Sequence, residues 1–170
     1  MLNKEPESIV RVDFQDCDPF GHLNNIKYIQ YIMNARTQHL RSAYDLDIYT
    51  HLQKEGKSWL VVKSQIAYNH PAKYNEEVYI KTRLLYADKY RVIPEALMYS
   101  LDKKYLHAIL WVEFMYVDAK LGRPVKHDEK LMELFNQIRI SNEKITDLNF
   151  DMKVKEIQRE FKLSSKLETA

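Results

Sequence analysis

The sequence predicts an α+β domain, in which a curved antiparallel sheet of about five strands wraps one long helix. Two observations predict this class. An amphipathic stretch of about five helical turns, residues 25–44, precedes a long series of strand-like segments. Short polar turns join the later segments, and such hairpin connections favour antiparallel pairing of the strands.

The individual elements follow from the spacing of apolar residues. Residues 9–14 alternate and predict a short strand before the long helix. After a polar connection at 51–57, four more strands are predicted, at 58–68, 77–86, 90–100 and 107–118. Pro94 interrupts the third of these and therefore predicts either an edge position or a bulge. A shorter helix is expected over about residues 128–140.

Length, charge and cysteine usage narrow the class of protein. The 170 residues favour one domain, 1–140, followed by a charged C-terminal extension, 141–170, whose pattern is compatible with a helix. In that extension Val154, Ile157 and Phe161 are spaced to form an apolar stripe on a helix. A net charge of +2 without a basic run argues against nucleic acid as a partner.

The same features argue against a membrane or secreted protein. No apolar run approaches the ~20 residues that a membrane span needs, and the first ten residues lack a signal-peptide core. The single cysteine, Cys17, excludes an internal disulfide framework. We therefore expect a reducing, cytoplasmic location.

The most informative stretch is DCDPFGHLNN, residues 16–25, between the first strand and the long helix. These residues suit a simple strand-to-helix connector, because Asp-Pro starts turns, Gly21 accepts a positive φ and Asn24 is a good helix N-cap. The same geometry suits catalysis, because a helix start offers unpaired N–H groups and a positive dipole end to an oxyanion. A carboxylate held just before the helix, such as Asp18, can attack a carbonyl or activate water.

DCDPFGHLNN followed by KYIQYIMNAR resembles the signature of hotdog-fold thioesterases, the 4-hydroxybenzoyl-CoA thioesterase-like acyl-CoA group. It is also similar to the HVNN-KYI segment of plant acyl-ACP thioesterases. The segments AYNHPAKYNEEVYIKTRL and FMYVDAKLGRPV match the family's strand and turn pieces, so the resemblance covers about residues 10–135. It implies hydrolysis of acyl-CoA or acyl-ACP to a free acid and a thiol, in fatty acid metabolism, without a metal or redox cofactor.

The resemblance also implies roles for residues at matching positions. Asp18 would be the catalytic carboxylate, as nucleophile or general base, and the backbone N–H of Asn25 would face the thioester oxygen. His22 and Asn24 would organise the turn. The implied assembly is a homodimer with its sites at the subunit interface, often paired again into tetramers. Residues 21–25 depart from the aroyl-CoA branch, which shifts the expected substrate towards aliphatic acyl chains, and the Cys/His elements of the plant enzymes have no clear counterpart.

Other reactive residues have structural alternatives. Cys17 adjoins the acid but lacks an organised histidine partner. Asp16 is expected in a turn or an ion pair, with Arg36 as a candidate partner, and Glu113 in an apolar strand is expected to be paired or to line a substrate tunnel. Four basic residues of two hairpin turns could meet CoA phosphates or an acyl carrier protein if adjacent strands bring the turns together: Lys89, Arg91, Lys103 and Lys104. No spacing typical of a metal site is present in the sequence.

Two rival functions keep the same fold. A non-hydrolytic acyl-thioester-binding protein would be marked most simply by replacement of the acid, and Asp18 is present. The other rival is a hotdog dehydratase, whose family pattern places a histidine and an acid on and beside the central helix. DCDPFGHLNN fits that pattern poorly. An unrelated interaction module with an incidental turn motif is the remaining alternative.

Overall fold

The computed structural model describes residues 2–141 and 144–167. Its strands are β1 (Glu7–Arg11), β2 (Lys57–Tyr68), β3 (Glu77–Ala87), β4 (Arg91–Ser100), β5 (Leu106–Asp118) and the two-residue β6 (Arg123–Pro124). Its helices are α1 (Asn25–Tyr44), α2 (Ile48–Glu55), α3 (Glu129–Ile138) and α4 (Phe150–Leu167). The five long strands form one antiparallel sheet in the order β1-β3-β4-β5-β2, and β6 pairs with β5. This arrangement confirms the predicted α+β class.

The helix α1 covers the predicted residues 25–44, whereas two neighbouring elements differ from the prediction. The first strand ends at Arg11, because the chain turns into a 3-10 helix at Phe14–Asp16. The predicted polar connection at 51–57 is wrong, because α2 occupies most of it. The side chain of Asp47 caps α2 by accepting a hydrogen bond from Thr50 N at 2.7 Å, and Gly56 ends it at a φ of 66°.

Pro94 lies in an interior strand, so the predicted edge position is wrong and the alternative, a bulge, is confirmed. The strand β4 lies between β3 and β5. The β3–β4 register shifts between Leu84 and Tyr86, immediately beside the Leu84–Pro94 pair. Proline has no N–H and so cannot donate a hydrogen bond to a neighbouring strand. The irregular pairing beside Pro94 accommodates this missing donor.

The helix α1 covers one face of the sheet and forms the larger core cluster with it. Buried side chains of α1 pack with inward residues of the three central strands: Tyr28, Ile32, Ala35, Val78, Ile80, Ala96, Met98, Ala108 and Leu110. The sheet positions follow every second residue, as the pleat requires. This packing fixes the axis of α1, and therefore the place of its N-terminus, relative to the strands.

An aromatic cluster attaches α2 and α3 to the end of this core. The ring of Trp59 lies 4.7 Å from that of Tyr116, and Phe135 of α3 packs edge-on against His127 at 5.0 Å. The Nδ1 of His127 donates to the carbonyl of Asp88 at 2.9 Å, so its Nε2 accepts the hydrogen bond from Trp59 Nε1 at 3.0 Å. His127 is therefore neutral, and burial lowers its pKa accordingly.

The opposite face of the sheet is covered by the C-terminal helix α4. Phe150 and Ile157 of α4 are buried in a second apolar cluster with residues of β4 and β5, and Val154 and Phe161 pack against the same cluster. The predicted apolar stripe therefore meets the sheet. The division of the chain into 1–140 and 141–170 stays a prediction. In the described part of the chain, no helix has the length and apolarity needed to cross a membrane.

Beneath this second cluster lies a buried carboxylate. Glu95 is 0% exposed and accepts hydrogen bonds from Arg83 Nε at 2.6 Å and from Trp111 Nε1 at 2.7 Å. Arg83 also binds Glu5 at 2.9 Å. Because Glu95 is both paired and hydrogen-bonded, its charge is tolerated inside the protein.

We expect Ile157→Ala to lower the free energy of unfolding by about 2–4 kcal/mol, because Ile157 is only 2% exposed under α4. Urea unfolding measures this value. The matched control is Met152→Ala, on the same helix but 69% exposed, which should change stability by less than about 0.5 kcal/mol. Equal effects from the two substitutions would show that α4 does not pack on the sheet in solution.

Candidate active site

Backbone hydrogen bonds within residues 16–25 close the motif into a loop. Asp18 N donates to the carbonyl of His22 at 2.7 Å, and Gly21 N donates to the carbonyl of Asp18 at 3.0 Å. Asn24 N donates to the carbonyl of Asp16 at 2.9 Å. The tight turn needs Gly21 at a φ of 74°, a conformation that side chains disfavour. The loop therefore holds Asp18 immediately before the start of α1.

The loop is docked on the segment that precedes β3. Leu23 N donates to Ala72 O at 2.8 Å, and Tyr74 N donates to Gly21 O at 2.9 Å. The amide of Ala72 in turn donates to the hydroxyl of Tyr28 on α1 at 2.9 Å. Three backbone segments, the motif, the helix and the turn before β3, are thus joined around one buried alanine.

This turn is itself anchored by a glutamate and a buried histidine. Glu76 accepts a hydrogen bond from Lys73 N at 2.8 Å and from His107 Nε2 at 2.9 Å. His107 Nδ1 donates to the carbonyl of His70 at 2.9 Å. Since both ring nitrogens of His107 face acceptors, β5 holds the turn at two points. Reasoning from the sequence missed this pair, although the polar turn NHPAKYNE marked the place.

The carboxylate of Asp18 is half-buried and oriented by the loop. Its Oδ1 accepts hydrogen bonds from Phe20 N at 2.9 Å and from His22 N at 3.1 Å. Within the residues that the structure describes, Oδ2 accepts no hydrogen bond from the protein. That oxygen is available to a water molecule or to a carbonyl carbon. His22 contributes to this orientation through its backbone.

The first amide of α1 is also available. The side chain of Asn24 caps the helix by accepting from Ile26 N at 3.2 Å, and its carbonyl accepts from Lys27 N at 2.8 Å. The predicted N-cap is therefore confirmed. The N–H of Asn25 has no acceptor among the described residues, as expected for the first position of a helix. Tyr68 OH donates to the carbonyl of Asn25 at 2.9 Å, in the next peptide group of the helix.

Asp16 forms the predicted ion pair, but Arg36 is not its partner. Lys27 Nζ lies 2.8 Å from Asp16 Oδ1, and Tyr31 OH donates to Oδ2 at 2.9 Å. Lys27 holds the pKa of Asp16 below its usual value. Lys27 lies in the first turn of α1, beside the loop, whereas Arg36 lies about three turns further on.

Cys17 is poorly suited to act as a nucleophile. Its Sγ donates to the carbonyl of Asp13 at 3.3 Å. Burial, together with the neighbouring charges of Asp18 and Asp16, raises the pKa of the thiol. The reactive thiolate is therefore disfavoured beside these acids.

The four basic residues of the two hairpin turns do not form one cluster. The turns lie at opposite ends of β4, whose ten residues span about 30 Å. Arg91 is engaged by Glu113 at 3.1 Å, which makes Glu113 a paired residue, and Lys104 lies 3.4 Å from Asp102. The expectation that adjacent strands bring these turns together is therefore wrong.

Exposed apolar side chains surround the motif. Phe20 and Ile26 flank the available groups of Asp18 and Asn25, and Phe14 packs edge-on against Tyr74 nearby. Exposed apolar groups of this number around polar groups are typical of a binding surface. Among residues 2–141 and 144–167, no three His, Cys, Asp or Glu side chains are placed to hold a metal ion.

Comparisons with known proteins identify the family of this chain. The family model of the thioesterase-like superfamily matches residues 12–135, which include the loop, α1 and the five-stranded sheet apart from β1. The chain belongs to the thioesterase-like superfamily. A search of curated protein sequences finds no match.

Solved structures show that the fold is the hotdog fold. The probable thioesterase YbaW from Escherichia coli is 20% identical with a TM-score of 0.67, covering 78% of this chain and 97% of that one. A 1,4-dihydroxy-2-naphthoyl-CoA thioesterase from Synechocystis is 13% identical with a TM-score of 0.72, covering 79% and 97%. A DHNA-CoA thioesterase from Staphylococcus aureus is 14% identical with a TM-score of 0.71, covering 79% and 90%.

We expect Tyr28→Phe to lower the free energy of unfolding by about 1–3 kcal/mol, because it leaves the buried amide of Ala72 without its acceptor. Urea unfolding, with hydrogen exchange of the Ala72 amide, measures the effect. Tyr68→Phe removes an exposed hydroxyl and serves as the control, with a change below about 0.5 kcal/mol. An unchanged free energy of unfolding in Tyr28→Phe would show that the hydrogen bond of the Ala72 amide does not anchor the loop.

Proposed function

We propose that the protein is an acyl thioesterase that hydrolyses acyl-CoA or acyl-ACP to a free acid and a thiol. One observation carries the proposal. A carboxylate oxygen of Asp18 and the first helical amide, Asn25 N–H, both lack a partner in the described structure and belong to one closed loop. Hydrolysis of a thioester needs such a pair, a base or nucleophile beside a donor for the oxyanion.

In this mechanism the thioester oxygen accepts a hydrogen bond from Asn25 N–H. The positive end of the α1 dipole adds to that stabilisation, and such a donor is worth about 3–4 kcal/mol in acyl transfer. The Oδ2 of Asp18 either attacks the carbonyl carbon or takes a proton from the attacking water. On the direct-attack route the thiolate leaves and is protonated by water, and a second water molecule hydrolyses the anhydride on Asp18 to the free acid and the restored carboxylate. On the general-base route the tetrahedral intermediate expels the thiolate, which takes the proton from Asp18. His22 and Asn24 organise the loop, through the His22 N–H on Asp18 and the Asn24 cap on α1.

The surroundings of the loop support an aliphatic thioester as substrate. The exposed side chains of Phe20 and Ile26 offer an apolar surface beside the reacting groups. A groove of about 410 Å³ begins at Tyr68, whose hydroxyl binds the Asn25 carbonyl, and reaches Tyr105 and Lys104. An extended carrier arm fits such a groove, and Lys104 supplies a cation for its phosphate. We therefore propose a cytoplasmic enzyme of fatty acid metabolism.

We further propose a homodimer formed through the edge of the sheet at β2. Within residues 2–141 and 144–167 this strand pairs only with β5, and its residues Leu60, Val61 and Val62 are exposed. An apolar unpaired edge is a template for a second strand.

Val61→Lys should convert the dimer to a monomer in analytical ultracentrifugation, whereas Tyr49→Lys, at an exposed site on α2, should not. A wild-type monomer would contradict this assembly. Because α4 covers the outer sheet face, tetramers through that face are not part of the proposal.

The central test of function is turnover of acyl-CoAs, from C2 to C18 and benzoyl, by the native protein and by Asp18→Asn. The amide keeps the Oδ1 acceptor for Phe20 N and His22 N, so the loop should survive. We expect thiol release by the native protein to fall about 100-fold or more in the variant, because the base or nucleophile is lost.

Asp13→Asn is the matched control for this experiment. Asp13 is an exposed acid of the same segment whose side chain makes no capping bond, so its replacement should leave turnover unchanged. Equal turnover by Asp18→Asn and the native protein would contradict the proposal. If only acyl-ACP is hydrolysed, the carrier is ACP, and if neither ester is hydrolysed, the non-hydrolytic thioester-binding protein is the remaining alternative. An unlabelled first product from a single turnover in H₂¹⁸O identifies direct attack, because hydrolysis of the anhydride at the carboxyl carbon of Asp18 leaves an enzyme oxygen in the product.

A further inference from the structure

A second cavity, of about 40 Å³, lies between the C-terminal half of α1 and the sheet, closed on one side by α3. Most of its wall is apolar, including Leu40, Trp59, Leu84, Phe135 and Ile138. A pocket of mainly apolar side chains with a few polar groups is typical of a small-ligand site. Arg36 lines this pocket together with Tyr44, Thr82 and Arg83.

The guanidinium of Arg36 has no anionic partner in the part of the chain that the structure describes. Its carbon Cζ lies over the ring of Phe114, 4.4 Å from the ring centroid. Arg83, which also contributes to the wall, is engaged by Glu95 and Glu5. Burial alone lowers the pKa of Arg36, to about 10, so the group is charged at neutral pH.

Arg36 lines the cavity, and its nitrogens are not fully enclosed. Among the described residues, every fully enclosed side-chain nitrogen or oxygen has a hydrogen-bond partner, and the Arg36 nitrogens have none there. A charge in such apolar surroundings is costly unless an anion or water satisfies it, and the planar fork of arginine suits a carboxylate.

We propose that this cavity binds a short-chain monocarboxylate, with its carboxylate on Arg36 and its alkyl group against the apolar wall. The volume decides the length of the ligand. Since a water-sized group needs about 10–15 Å³ by this measure, 40 Å³ accommodates about three such groups, a carboxylate and one or two carbons. Because Arg83 is engaged by Glu95 and Glu5, Arg36 is the cation of the described wall that lacks an anionic partner. One such cation favours a monoanion over a phosphate dianion, which would need more donors.

This site is separate from the reacting groups. Arg36 follows Asn25 by eleven residues on α1, which corresponds to about 16 Å along the helix axis. Binding of a carboxylate there does not depend on the proposed hydrolysis. If the protein is a thioesterase, its short-chain products have the chemistry that this site recognises.

The experiment compares propionate with propionamide, a neutral molecule of nearly the same shape, on the native chain by calorimetric titration and thermal unfolding at constant ionic strength. We expect millimolar propionate, but not propionamide, to bind and to raise the melting temperature by about 3–5 °C at tenfold excess over its Kd. Equal effects of the two compounds, or none from either, would overturn the proposal. This comparison needs no variant to fold.

Variants then locate the site. Arg36→Met should abolish propionate binding, and Arg159→Met, at an exposed arginine of α4, should leave it unchanged. Asp18→Asn should also bind propionate as the native protein does, which distinguishes this site from the thioester site. Binding retained by Arg36→Met, or lost in Asp18→Asn, would contradict the assignment to Arg36, whatever the outcome of the turnover experiment.

Discussion

The pairing of the motif with the turn before β3 is the contact on which the candidate site depends. Two backbone hydrogen bonds, Leu23 N to Ala72 O and Tyr74 N to Gly21 O, join the two segments. Through Tyr28 the same turn is attached to α1, and through His107 it is attached to β5. The carboxylate of Asp18 and the first amide of α1 are therefore held by the sheet as well as by the loop. A reacting pair must be preorganised in this way, because small displacements remove most of its effect.

The sheet that supports the loop is covered on both faces. The helix α1 lies on one face and α4 on the other, so all residues of β4 after Arg91 are buried. A polar network crosses the outer cluster, where Glu95 is held by Arg83 and Trp111. Burying such an ion pair adds little stability by itself, whereas removing one partner would leave an uncompensated charge. The stability of the outer sheet face therefore depends on the contacts of α4 and on the presence of every member of this network.

Local patterns were sufficient to predict most of the fold. Periodicity reports directly how many faces of an element are buried. The helical period of α1 and the alternation in β3 reflect burial on one face, and the continuous apolar run of β5 reflects burial on two. The helix α2 was missed because its residues are polar. Its signals were the cap Asp47 and the terminal Gly56, which a search for apolar periodicity passes over.

Long-range pairing was less accessible from the sequence. The N-cap role of Asn24 follows from one residue and its place, and the structure confirms it. The partner of Asp16 and the separation of the basic turns depend on which elements are neighbours in space, which local spacing does not reveal. The lack of an anionic partner for Arg36 among the described residues depends on the packing of several elements around one side chain, so only the structure could show it.

The most direct test of the account is the position of a thioester in the crystal structure of Asp18→Asn bound to an acyl-CoA. The account predicts that the thioester oxygen lies about 2.7–3.1 Å from Asn25 N, with the amide of residue 18 facing the carbonyl carbon. A thioester bound away from the start of α1, or one whose oxygen points away from Asn25 N, would contradict the account.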